Sequence, residues 1–287
     1  MSFFDCVEIG TCDFGIQATL PQVRTGLCVE PIKYYLDKIE YGDKPGIKKI
    51  QCAISNANGT CSIYYITPDV IERMGFPDWF RGCNSINKYH PTVVRVIEER
   101  KLKPYQYISS YIVQKKTLCQ LLENEGVKQI YMLKIDTEGH DCIILDKYLD
   151  DIQGQNIRLP YVLYFETNIL TEEPVIQYTL DRLHSIGFDI LKRDDSDAFL
   201  RLNLQRLQGR SEFSLPLDNY YIMNFPEGYD QENPGHDNTL ESALSFCKER
   251  GYAGVTFQND KYTVRMGPYL LYDNENGHNT LISWVYL

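Results

Sequence analysis

The sequence has no Cys-x-x-Cys pair, no block of Lys and Arg, and no apolar run long enough to cross a bilayer. Each absence removes a class of function. The nine cysteines, at positions 6, 12, 28, 52, 61, 83, 119, 142 and 247, stand singly, which argues against a cysteine-rich zinc site and a thioredoxin-like motif. An odd number of thiols scattered through apolar segments fits buried, reduced cysteines in a reducing compartment. A net charge of −10 without a basic block argues against nucleic acid and against an anionic membrane surface as partners. The opening Met-Ser-Phe-Phe-Asp-Cys-Val-Glu carries no basic stretch, and its apolar run is too short for a secretory signal. The ~20 apolar residues of a membrane span are found nowhere. A cytosolic protein is expected, and the formal sequon Asn58-Gly59-Thr60 then reads as a turn. Two tryptophans stand against 22 tyrosines. A carbohydrate-facing surface gives that ratio, but a nucleotide-composition bias is the simpler source.

What is present suits a folded enzyme. The chain has 287 residues, 43% of them apolar, enough for one ordinary domain plus a small one. From Phe3 to about Leu202, short apolar runs alternate with helical patterns. Phe4–Ile9 and Gly26–Val29 read as strands, followed by a helix with Ile32, Tyr35, Leu36 and Ile39 on one face. Ile50–Ile54 reads as a third strand, with Asn56-Ala57-Asn58-Gly59 as a hairpin turn into Cys61–Ile66. Residues 67–116 are less regular. A helix over Thr117–Glu125, the buried strand Gln129–Ile135, a helix over Asp141–Leu149 and the strand Tyr161–Phe165 follow. Helix Ile176–Ile186 and the strands Phe188–Lys192 and Ala198–Leu202 close the pattern. Such alternation implies an α/β fold, a doubly wound and mostly parallel sheet with an antiparallel edge. The expected division is a domain over 1–203, a polar linker over 204–218, and a small α+β module over 219–287 around a helix at Leu240–Arg250.

In an open parallel sheet, ligands bind beyond the carboxyl ends of the strands. Polar and glycine residues stand at those ends. The first strand runs into Glu8-Ile9-Gly10-Thr11-Cys12-Asp13-Phe14-Gly15, where glycines permit tight turning and close approach to a ligand. Glu30 follows the second strand, about 20 positions on, the spacing at which an acid accepts the hydroxyls of a ribose. The alternative is an acid favoured by the N-terminus of the next helix. Asp136 and Glu138 end the central strand, and Glu166 and Asn168 end the next. The first two can instead cap the following helix, and His140 reads as a helix-start residue.

Taken in order, Glu8–Gly15, Val29-Glu30-Pro31-Ile32, Ala53-Ile54-Ser55 before Asn58-Gly59-Thr60, and Leu133-Lys134-Ile135-Asp136-Thr137-Glu138-Gly139-His140-Asp141 resemble the FkbM family of class I methyltransferases. The likeness covers roughly residues 3–202. It implies a Rossmann-like fold, S-adenosyl-L-methionine as cofactor and O-methylation, most often of a sugar or polyketide hydroxyl. Carried over by matching positions, it implies Glu8, Gly10, Asp13, Gly15, Glu30, Ser55 and Asp136 around the cofactor. Gly10 and Asp13 would lie by the methionine part, Glu30 would hold the ribose and Ser55 would border the adenine. The first turn is one residue longer than the family's pattern, which shifts Asp13 and Gly15, and Pro21 interrupts the first helix.

An activated methyl donor asks the protein mainly for orientation and for a base near the acceptor hydroxyl. Asp136, Glu138 and Glu166 are the candidate catalytic carboxylates. Alternatively Asp136, Glu166 and Asn168 hold a Mg²⁺ ion that acidifies the hydroxyl. Trp79, Phe80, Arg81, Asn84, Ser85, Tyr89 and His90 mix aromatic faces with hydrogen-bonding groups, as a sugar-binding lid would. The expected partner is a sugar, a glycan or a nucleotide-sugar. The alternatives are methylation of another small molecule at oxygen or nitrogen, or a catalytically inactive glycan-binding or scaffolding protein on the same fold. In the C-terminal module, Phe246-Cys247, Gly251-Tyr252, Gly254–Phe257, Tyr262–Arg265 and Trp284-Val285 loosely resemble PAN/apple-type or lectin-like modules, without their disulfides.

Overall fold

The computed structural model describes residues 2–12, 19–20, 22–40, 44–87, 89–152, 157–207, 212–214, 216–273 and 281–287. Asp13, Gly15 and Pro21 lie outside the described residues. The chain divides into two compact units, Met1–Asp181 with Leu191–Phe199, and Arg182–Ile190 with Leu200–Leu287.

The elements run β1 (Ser2–Ile9), β2 (Thr25–Val29), α1 (Lys33–Lys38), β3 (Gly46–Ile50), β4 (Ala53–Ile54), β5 (Gly59–Ile66), α2 (Pro68–Met74), α3 (Pro91–Glu99), β6 (Ile108–Lys116) and α4 (Leu118–Asn124). They continue with β7 (Val127–Ile135), α5 (Asp141–Ile152), β8 (Val162–Glu166), α6 (Glu173–Ser185), β9 (Phe188–Arg193) and β10 (Asp197–Leu202). A seven-stranded sheet has the order β3-β2-β1-β7-β8-β10-β9. The pairs β1–β2, β2–β3, β1–β7 and β7–β8 are parallel. Only residues 194–196 join β9 to β10, a connection that an antiparallel pair alone permits. This is the expected Rossmann-like, doubly wound sheet. In β1 every residue from Phe4 to Ile9 is buried, as in a strand covered on both faces.

Register decides where the site lies. Ile9 stands beside Val29 and Ile135, and Ile135 beside Phe165. The residues that follow these partners, Gly10, Glu30, Asp136 and Glu166, therefore leave the sheet side by side. Strand order reverses between β1 and β7, the position at which such sheets open a crevice.

Two sequence expectations need correction. The third central strand is β3, Gly46–Ile50, and not Ile50–Ile54. Ala53–Ile54 is instead β4 of a separate sheet ordered β4-β6-β5. The Asn58-Gly59 turn consequently closes no hairpin. β5 pairs antiparallel with β6 along its full length, from Gly59↔Lys115 to Ile66↔Ile108, and β4 pairs parallel with the end of β6. The partner of β5 lies some fifty residues downstream, beyond the reach of local pattern. The segment between them is more regular than its composition suggests. It holds α2, α3 and two short 3-10 turns, around a core of Ile66, Ile71, Phe76, Phe80, Val93 and Ile97.

The second unit is a small α+β structure. β11 (Leu217–Asp218), β12 (Tyr220–Ile222), α7 (Leu240–Arg250), β13 (Gly254–Gln258), β14 (Lys261–Arg265), β15 (Leu270–Tyr272) and β16 (Ile282–Val285) follow in order. β11-β16-β13-β14 form one sheet and β12-β15 a second. α7 starts at Thr239, whose hydroxyl accepts from Ser242 N, and stops at Gly251 in the left-handed region, φ 67°. Its buried Ala243 and Cys247 pack with Val255, Val264 and Tyr286. The described residues of 204–218 are not free chain. Leu204–Arg206 is a 3-10 turn, and Glu212 and Ser214 hydrogen-bond Leu287 and Val285.

All nine cysteines are free, seven of them buried. Burial pushes the thiols of Cys28 and Cys119 up to about 12 and those of Cys52 and Cys142 up to about 11, so they act as small apolar groups. Among the described residues no helix is long and apolar enough to cross a membrane.

Candidate active site

A cleft opens beyond the carboxyl ends of β1, β2 and β7. Gly10, Cys12, Glu30, Asp136 and Thr137 form its polar floor, and Cys52, Ala53, Ile54 and Ile63 an apolar wall. Gly82, Asn84 and Ile86 close it from the 67–116 segment, which thus contributes a lid.

Gly10 makes the floor possible. It sits at φ 78°, and its N–H donates to the carbonyl of Val29 at 2.9 Å. A Cβ placed there would fall 1.8 Å from the carbonyl oxygen of Asp136. Glu30 is 3% exposed rather than a solvated helix acid. Its Oε2 accepts from Cys12 N at 2.9 Å and its Oε1 from Ile32 N at 2.8 Å. The carboxylate is thereby fixed at the cleft wall, tying the turn after β1 to the end of β2.

Glu8 and Ser55 are not among the residues that line the cleft. Glu8 is fully buried, and Lys134 Nζ reaches its Oε1 at 3.1 Å and Asp136 Oδ2 at 3.3 Å. Burial alone would depress the Lys134 ammonium, but the two carboxylates outweigh it and raise its pKa. Lys134 therefore pairs with Asp136, and with Glu8 as well. Ser55 Oγ lies 3.0 Å from His140 Nε2. Asn87 donates Nδ2 to Gly139 O, so its Oδ1 accepts from His140 Nδ1 at 2.9 Å, and Nε2 is left to accept from Ser55. Burial, aided by Lys115, depresses His140 to about 4, consistent with this neutral ring.

The lid is latched to the turn after β7. Ser85 Oγ donates to Glu138 O at 3.2 Å, Asn87 bonds Gly139 and His140, and His90 Nε2 lies 3.1 Å from Glu138 Oε2. The His90 Nδ1 accepts from Thr92 N, capping α3, so Nε2 carries the proton and donates to Glu138. Glu138 holds φ 56°, a left-handed conformation that a non-glycine residue adopts only under surrounding constraint. Of the expected lid residues, Phe80 is core, whereas Trp79 and Tyr89 are exposed.

Asp136, Glu138 and Glu166 converge, with carboxylate oxygens within 4.8 Å of one another. Asp136 lines the cleft, with its side chain 39% exposed. Glu166 is driven up to about 10, chiefly by burial and then by the charges of Glu138, Asp141 and Asp136, so it holds a proton at neutral pH. Its Oε1 accepts from Asn168 Nδ2, while its buried Oε2 has no partner. The orphaned oxygen and the crowding of like charge fit a hard cation shared by the three carboxylates. Asn168 fits such a set poorly, because its Oδ1 accepts from Leu170 N at 2.9 Å. Cys83, His90 and Glu138 also lie close together. There the donor Nε2–H of His90, and a Cys83 thiol held protonated by burial and by the neighbouring carboxylates, oppose metal ligation.

No role for Asp141 is evident from the sequence. It is fully buried, with its pKa raised to about 7 by burial and by Asp136. Its Oδ2 accepts from Thr137 N and Oγ1, and its Oδ1 from Glu166 N. One carboxyl group thus holds the ends of β7 and β8 together. The acid closing the Lys134–Asp141 motif was the available signal.

The proton on Glu166 sets a pH dependence. Its folded pKa lies above the ordinary value of 4.5, so its contribution is complete at low pH and is lost as pH rises towards 10. Wild type should lose stability relative to Glu166→Gln, on the order of 1 kcal/mol per pH unit, as pH rises from 7 to 9.5. Urea denaturation of both proteins across that range checks this, and parallel curves would mean that Glu166 ionises normally.

A doubly wound sheet with its cleft at the switch point, floored by a glycine crossing and an acid after β2, defines a Rossmann-like enzyme domain. The sequence model of the methyltransferase FkbM domain matches residues 10–190. The chain belongs to that family and is a methyltransferase. The match stops short of most of the second unit. No curated protein and no solved structure matches the chain.

Proposed function

We propose that the protein is an S-adenosyl-L-methionine-dependent O-methyltransferase acting on a sugar hydroxyl of a glycan or nucleotide-sugar. The carrying observation is Glu30, a buried carboxylate fixed by two backbone N–H donors at the wall of the cleft. A carboxylate held at that place suits the paired hydroxyls of a ribose. The apolar wall of Ala53, Ile54 and Ile63 suits a purine face. Asn84 Oδ1, buried on the lid side without a partner, offers an acceptor to an amino group of the cofactor. When bound, the cofactor supplies an activated methyl group.

The chain's own residues orient the acceptor and hold its proton. Asp136 is the cluster member that lines the cleft, so it is the carboxylate placed to take a proton from the acceptor hydroxyl. Glu138 is held by His90 beside it, and Glu166 arrives already protonated. A cation on the three carboxylates would acidify the same hydroxyl. Exposed Trp79 and Tyr89, with Arg81 and Asn84, support a sugar on the lid side by aromatic stacking and hydrogen bonding.

Isothermal titration with S-adenosylmethionine tests the reading. Glu30→Ala should weaken binding by about 1–3 kcal/mol, with circular dichroism confirming the fold. Unchanged affinity removes Glu30 from the site. Sugar specificity is tested separately, by mass spectrometry of a sugar panel incubated with enzyme and cofactor.

A further inference from the structure

The second unit contains a buried layer of polar side chains that its own packing does not complete. On one face of the β11-β16-β13-β14 sheet, Ser283, Thr256 and Thr263 are fully buried, and Arg265 is 7% exposed. The hydroxyls satisfy one another and the backbone. Thr256 Oγ1 and Ser283 Oγ are 2.8 Å apart, Ile222 N donates to Thr256 Oγ1, and Thr263 Oγ1 donates to Thr256 O at 3.0 Å. The layer ends on β14, an edge strand, at Arg265.

Arg265 differs from every other member of the layer. Its Nε–H donates to Thr263 Oγ1 at 3.1 Å, and its guanidinium carbon stands 3.8 Å from the centre of the Phe225 ring. Of the five N–H groups of an arginine, that leaves the four on Nη1 and Nη2 without a protein acceptor among the described residues. No carboxylate among the described residues pairs with it. Its burial lowers its pKa to about 10, the direction expected of a cation withdrawn from water without an anion beside it. Neither Nη atom is sealed off without a partner, so the fork reaches the surface. A fixed, stacked, poorly solvated guanidinium with both Nη groups free is the arrangement that recognises a planar oxyanion through two parallel bonds.

We propose that the second unit carries an oxyanion-binding site at Arg265, which takes the carboxylate or phosphate group of a small polar ligand. Phe225 covers one face of the guanidinium and Thr263 holds Nε, so the ligand meets the Nη edge in the plane of the fork. The site lies in the second unit and does not depend on the methyl-transfer reading.

The test is a thermal-shift titration of the full chain with inorganic phosphate and, separately, sodium acetate, each against chloride at equal ionic strength. Wild type should show a saturable rise in Tm with at least one anion, and the better anion identifies phosphate or carboxylate as the natural group. Arg265→Lys keeps the charge but not the fork, and should weaken the response about tenfold. Arg265→Gln should abolish it. No saturable shift in wild type, or an undiminished one in Arg265→Gln, overturns the proposal. Should Arg265→Gln fail to fold, the guanidinium NMR resonances of wild-type Arg265 decide: movement during the titration supports the site, and fixed resonances overturn it.

Discussion

Gly10→Ala should be the most damaging single-methyl change in the first unit. At φ 78° an alanine is strained by about 1–2 kcal/mol. The larger effect is steric, because the new Cβ would lie 1.8 Å from the Asp136 carbonyl oxygen and 2.7 Å from its carbonyl carbon. Both neighbours are backbone, so the ends of β1 and β7 must separate, and the bond from Asp136 N to Ile9 O goes with them. The combined loss should exceed about 3 kcal/mol, at the severe end for a point substitution. Gly75→Ala is the control: Gly75 is also left-handed, φ 56°, but nothing lies within 4 Å of its Cβ position. Urea midpoints of the two variants measure the difference. Equal midpoints would show that the β1–β7 crossing has room to relax.

The same crossing shows what was legible in the sequence. Glu8-x-Gly10, Glu30 and the Lys134–Asp141 motif each announce a strand end, because a buried apolar run stopping at glycine or acid is a local signal. The parallel register then brings them together without further information. Contacts over long separation were not legible. Lys134 bridging Glu8 spans 126 positions, and His90 reaching Glu138 spans 48. The Asn-Gly pair at 58–59 is a sound turn signal, yet β6 comes between the strands it was taken to join. Ser55 matches a cofactor-binding position by its place in a motif, and its hydroxyl lies within hydrogen-bond distance of His140. That engagement depends on the lid residue Asn87, which no local pattern ties to the end of β7.

Electrostatics separates three carboxylates that look equivalent in sequence. Asp136 has Lys134 at 3.3 Å, Glu138 has the Nε2–H of His90, and Glu166 has a buried oxygen, Oε2, without a hydrogen-bond partner. Glu166, withdrawn from water and crowded by its acidic neighbours, keeps its proton. Enzymes often part the roles of neighbouring acids in this way, by environment rather than by residue type.

Asp136→Asn should therefore lower turnover far more than it lowers affinity. Asparagine keeps the shape and deletes the charge, and the partly exposed position makes a collapse of the fold unexpected, since Lys134 retains Glu8. Removal of a general base typically slows a reaction about 10²–10⁴-fold, with ground-state binding nearly unchanged when the group acts mainly in the transition state. The substitution has a second readout that a passive residue would not give. The charge of Asp136 helps to hold Asp141 and Glu166 above their ordinary values, so both should titrate at lower pH in the variant. The loss of stability towards alkaline pH should correspondingly end at a lower pH in the variant, because the folded-state value sets its upper limit. The decisive measurements are kcat with a methylated-product assay, cofactor Kd by titration, and the pH dependence of the urea midpoint. Near-normal kcat with a shifted pH profile would pass the proton-accepting role to Glu138, the neighbouring acid. Loss of cofactor binding would instead assign Asp136 to the cofactor's surroundings.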